Sequence, residues 1–85
     1  MIEVKVFGSE PPCAKCRQAE EQAKRAAAKF PGQVTVEKCA AQSAEGLGLV
    51  LHMTPAIVVN GRVVSEGRVP EESELERVFL SELGG

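Results

Sequence analysis

With 85 residues the chain can form one small domain around one core, with no room for a separate substrate domain. Ten Lys and Arg stand against 12 acidic residues, all glutamate, so the net charge of -2 offers no attraction to nucleic acid. No stretch approaches the ~20 apolar residues that cross a membrane, and three cysteines leave one over from any pairing, which excludes a closed disulfide framework.

Residues 2–7 alternate Ile2, Val4 and Val6 with Glu3, Lys5 and Phe7, the period-2 pattern of a strand. This start has neither the basic residues nor the apolar run of a secretory signal, so the chain is expected in the cytoplasm. Gly8 to Pro12 breaks the strand. From Cys13 to about Lys29 good helix formers dominate, and Cys16, Ala19, Ala23, Ala26, Ala27 and Phe30 make an apolar stripe that Pro31-Gly32 ends. Val34, Val36 and Lys38 predict a second strand. Residues 40 to about 52 read as a weaker helix with Leu47, Val50 and Leu51 inward, although Gly46 and Gly48 oppose it. Two β-branched runs, Ala56–Val59 and Arg62–Ser65, flank Asn60-Gly61 and predict a hairpin with a type I′ turn. Pro70 then opens a last helix with Glu71, Glu72 and Glu74 at its positive end and Leu75, Val78, Phe79 and Leu83 at helical spacing. The order is βαβαββα. Its first three elements predict a right-handed parallel crossover, and the hairpin completes a four-stranded mixed sheet with helices on both faces.

The chemistry is expected at Pro11-Pro12-Cys13-Ala14-Lys15-Cys16, between the first strand and the first helix. A sulfur at that junction faces unpaired N–H groups at the positive end of a helix, which favour thiolate over thiol. In a reducing compartment such a pair is more often redox-active or metal-binding than structural. Cys16 lies one turn into the helix, on the same side as Cys13. Lys15 adds a positive charge beside the pair.

Element order and motif together resemble the minimal thioredoxin or glutaredoxin fold over nearly the whole α/β chain. Met53-Thr54-Pro55, just ahead of the hairpin, is similar to the superfamily's cis-proline segment. The short length and the Pro-Pro-Cys start resemble the small prokaryotic redox-active thioredoxin-like proteins. The resemblance implies a single thioredoxin-like domain over residues 1–85. It also implies a protein-disulfide reductase that acts as a monomer, without metal or organic cofactor. Cys13 would attack a substrate disulfide and Cys16 would resolve the mixed disulfide. Ala14, Lys15, Met53, Thr54 and Pro55 would contact the substrate, and a reductase would supply electrons. Ordinary thioredoxin's tryptophan and its buried acid have no counterpart, the chain having no Trp and only Glu3 in the first strand. Its reduction potential therefore does not transfer.

Three other readings compete. Cys13, Cys16, Cys39 and His52 formally make a Cys₃His set, but Cys39 and His52 are separated by a predicted helix rather than a tight knuckle. A metallochaperone-like protein binding a soft metal or metalloid also carries CxxC after its first strand, yet its fold ends in a strand. A glutathione-dependent glutaredoxin would hold the tripeptide near the start of the last helix, where Glu71 and Glu72 repel an anion and Arg68 attracts one. Cys39 itself reads as a small strand-end residue.

Overall fold

The computed structural model of the chain describes residues 1–9 and 13–84; the Pro11-Pro12 step lies outside them. In chain order the elements are β1 (Ile2–Gly8), α1 (Ala14–Ala27), β2 (Val34–Ala40), α2 (Ser43–Gly46), β3 (Ala56–Val59), β4 (Arg62–Glu66) and α3 (Glu72–Gly84). The sheet order is β2-β1-β3-β4. β1 runs parallel to β2 from Ile2↔Val34 to Gly8↔Ala40 and antiparallel to β3 from Val4↔Val59 to Phe7↔Ala56. It therefore has a neighbour on each side, and its alternation sends Ile2, Val4 and Val6 to one face of the sheet and Phe7 to the other.

The first face carries α1 and α3. Ala19, Ala23 and Ala26 are fully buried against it, and their small side chains let α1 lie close to the strands. Leu75 and Phe79 of α3 complete this core, with the rings of Phe30 and Phe79 meeting edge to face at 5.7 Å. Outside, Lys29 spans from the end of α1 to Glu72 at 2.9 Å and Glu76 at 3.0 Å on α3. The hairpin turns on Asn60 (φ 49°) and Gly61 (φ 82°), the left-handed pair that a type I′ turn requires. Asn60 is also tied to β1: its side-chain oxygen accepts the Glu3 N–H at 2.8 Å and its own N–H donates to the Glu3 carbonyl at 2.9 Å.

Three expectations need correction. The helix over residues 40–52 is a single turn, Ser43–Gly46, and it is closed by Gly48 at φ 75°. The two glycines withdraw helix propensity within a short, weakly apolar segment. Leu47 and Val50, expected inward, are 52% and 72% exposed; only Leu49 and Leu51 pack against the second face, beside Phe7, Ala44, Ala56 and Val58. α1 ends at Ala27 rather than Lys29, because the residue before Pro31 is driven out of helical geometry and the chain tightens through Lys29 N–H to Ala26 and Phe30 N–H to Ala27 carbonyls. In α3 the buried stripe stops at Phe79, and Leu83 in the last turn is 39% exposed.

Candidate active site

β1 delivers the chain to the end of the sheet and α1 starts there, with Cys13 as its N-cap. Cys13 is extended (φ -80°, ψ 172°), its carbonyl accepts the Arg17 N–H at 3.1 Å, and its Sγ accepts the Cys16 N–H at 3.3 Å. A sulfur thus takes the place usually held by a Ser or Asp oxygen at a helix start. Cys13 is exposed and Cys16 is 3% exposed; both are free thiols, with their sulfurs 2.8 Å apart.

Cys16 sits directly against the strand end. A Cβ at Gly8 would lie 3.1 Å from Cys16 Cβ and 3.2 Å from its Sγ, so the absence of a side chain there permits the approach. Ser9, the next residue, places its Oγ 3.8 Å from Cys16 Sγ. Burial raises the Cys16 thiol, but hydrogen bonds from the Cys13 side chain and from the Ser9 and Cys13 backbone outweigh it, and bring Cys16 from 9.0 to about 7.

Cys39 is separate from this pair. It stands opposite Phe7 in β2, packed among the residues of the second face, with its thiol directed to the Glu37 carboxylate at 3.5 Å. Burial, then the hydrogen bond and charge of Glu37, push it above its ordinary value, which keeps it a thiol at neutral pH. Among the described residues no three His, Cys or Glu side chains converge as a metal site requires, so the formal set of Cys13, Cys16, Cys39 and His52 is not assembled. Nor, among the described residues, is any helix long and apolar enough to cross a membrane.

The Thr54–Pro55 peptide is cis. Phe7 pairs with Ala56 at the end of the β1–β3 ladder, so buried Pro55 and Gly8, the residue against which Cys16 packs, each lie one residue beyond that pair. Ala14 and Lys15 are exposed, and Met53 is 60% exposed. The segment is anchored from the end of β4. Glu66 accepts the His52 N–H at 2.7 Å and the Met53 N–H at 3.2 Å through one carboxylate oxygen, and Gly67 N–H donates to the Pro55 carbonyl at 2.9 Å. The His52 N–H, opposed by burial and aided by the Met53 N–H and the His52 charge, holds Glu66 below the usual carboxylate range.

A thioredoxin-domain family model matches residues 2–80. The chain belongs to that family. Its fold is similar to that of chloroplastic thioredoxin z, whose crystal structure aligns with a TM-score of 0.77 at 17% identity, over 100% of this chain and 80% of that one. No curated protein matches it. As a thioredoxin-domain protein with a close Cys13-Cys16 pair, it is a thiol-disulfide redox protein. Gly8, Ser9 and Glu66 are the parts of this thioredoxin-domain site that sequence reasoning missed. Gly8 shows in the sequence only as a strand breaker, Ser9 as part of the loop, and Glu66 gives no signal until the hairpin register is known.

Proposed function

We propose that the chain is a cytoplasmic protein-disulfide reductase with Cys13 as nucleophile and Cys16 as resolving thiol. The observation that carries this reading is the placement of the exposed Cys13 Sγ at the start of α1, accepting the Cys16 N–H, with a buried second sulfur 2.8 Å behind it. Negative charge is better placed on the exposed sulfur, which faces the helix dipole, than on the shielded one. In the first step the Cys13 thiolate attacks one sulfur of a substrate disulfide; that S–S bond breaks and the other substrate sulfur leaves as a thiolate and is protonated. Cys16, now deprotonated, attacks Cys13 Sγ, and the Cys13–substrate bond breaks to release the second substrate thiol. Two electrons have passed to the substrate and the chain holds a Cys13–Cys16 disulfide. A reductase with its own dithiol returns them.

A dithiol donor fits better than glutathione. Arg68, shortly before α3 in the chain, is engaged in a two-pronged ion pair with Glu74, and Lys29 is held between Glu72 and Glu76. Neither is left to bind the tripeptide's carboxylates. Ala14 and Lys15, which follow Cys13 in the chain, and the Met53-Thr54-Pro55 segment with its cis peptide are the surface this reading assigns to an extended substrate chain.

Two measurements test the reading. Cys16→Ser is expected to accumulate a mixed disulfide with insulin or another disulfide-bearing protein through Cys13, and Cys13→Ser to accumulate almost none; trapping by Cys13→Ser would reverse the roles. For the reduced protein, iodoacetamide mapped by mass should label Cys13 first. Labelling that begins at Cys16 or Cys39 would overturn the assignment of Cys13 as nucleophile.

A further inference from the structure

The residues on which a substrate chain would lie are held by a side chain from a different element. Glu66 ends β4, an edge strand, and pairs with Ala56 across the hairpin. From there its carboxylate reaches the consecutive N–H groups of His52 and Met53, the two residues that lead into Thr54. Gly67 adds a second hold: its N–H donates to Pro55, and the Met53 side chain lies over it so closely that a Cβ at this left-handed position (φ 72°) would come within 3.0 Å of the Met53 sulfur. Leu49 and Leu51 hold the earlier part of this stretch on the second face, but α2 is one turn long and Val50 and Met53 are largely exposed, so residues 52–53 lie beyond that apolar hold. Two N–H groups bonded to one charged oxygen make the strongest polar restraint recorded on this stretch.

We propose that Glu66 is a positioning residue for protein substrates: it pre-orders the main chain of residues 52–54 so that an incoming disulfide-bearing polypeptide meets a formed edge rather than one it must order. This rests on the protein-disulfide reductase reading. It deepens that reading by separating recognition from chemistry, since Glu66 has no contact with either sulfur among the interactions of Cys13 and Cys16. Ordering a few residues on binding is a cost that falls on affinity, whereas attack by Cys13 depends on the start of α1.

The test compares wild type, Glu66→Ala and Glu66→Gln with two oxidants, insulin and a small aromatic disulfide that needs no main-chain partner. Glu66→Ala is expected to raise KM for insulin by roughly 3–10-fold at nearly constant kcat, the size of a lost charge-assisted hydrogen-bond pair at a partly exposed site. Its reaction with the small disulfide and the alkylation rate of Cys13 should stay within about 2-fold of wild type. Glu66→Gln keeps an acceptor oxygen and should recover most of the insulin KM. Amide exchange at His52 and Met53 should accelerate in Glu66→Ala. An unchanged insulin KM in Glu66→Ala, or an equal loss with both oxidants, overturns the positioning role. Wild type that leaves insulin intact instead refutes disulfide reduction itself, and the proposal with it.

Discussion

The two faces of the sheet are built on different principles. On the first, two long helices bury Ala19, Ala23, Ala26, Leu75 and Phe79 on Ile2, Val4, Val6, Ile57 and Val59. On the second, one helical turn and a loop cover Phe7, Ala56 and Val58, leaving Leu47 and Val50 in solvent and a cleft lined by Leu47, Leu49 and Val58 with Glu3, Lys5 and Gly61. The reactive pair grows from the thick face, through α1, while the segment that would meet substrate is reached through the thin one. The sulfurs and the residue 52–55 segment thus draw on separate packing.

The sharpest way to break this contrast is to remove the centre of the thick face. Phe79 touches the Phe30 ring and is fully buried, so Phe79→Ala is expected to cost about 3–5 kcal/mol of unfolding free energy, read from urea denaturation. A chain with one small core has little margin beyond that, and a loss under ~1 kcal/mol would show that α3 contributes less than its burial implies.

A smaller effect is expected where the thick face meets the site. Gly8→Ala asks Cys16 to yield a few tenths of an ångström, since the new Cβ would stand 3.1 Å from Cys16 Cβ and 3.2 Å from Sγ. The predicted cost is about 1–2 kcal/mol, within the range for overpacking. Because the displaced atom is a reacting sulfur, closure of the Cys13–Cys16 disulfide by an oxidant should also slow. Unchanged stability and closure rate would mean that Gly8 serves only as the end of β1.

Much of this architecture was legible from local signals. The alanine stripe of α1 and the Asn60-Gly61 turn each depend on neighbours within a few positions, and both stand where the pattern put them. The Cys13–Cys16 proximity follows from one turn of helix. What escaped were effects that depend on distant chain. α2 shrank because Gly46 and Gly48 disfavour a helix and only Ala44 within it is buried on the sheet. Glu66 reads as one more surface glutamate until the hairpin brings it beside His52, 14 residues earlier. Gly8 and Ser9 matter only once α1 has folded back over the strand end.

The smallest effect belongs to the thin face, and it is the one that tests whether the thinness is real. Leu47 and Val50 are apolar residues in a segment whose hydropathy called for a buried helix, yet they are 52% and 72% exposed. If they contribute nothing to the core, Leu47→Ser and Val50→Ser should each change unfolding free energy by no more than about 0.5 kcal/mol, the ordinary range for surface positions. Leu51→Ser, four residues beyond Leu47 but packed against the Phe7 cluster, should cost more, on the order of 1–2 kcal/mol. Equal losses at all three positions would show that the segment closes over the second face as a longer helix in solution, and the contrast between the faces would then disappear. Loss at Leu51 with none at Leu47 or Val50 would confirm that the Leu49 and Leu51 contacts, rather than a helical stripe, tie this segment to the sheet.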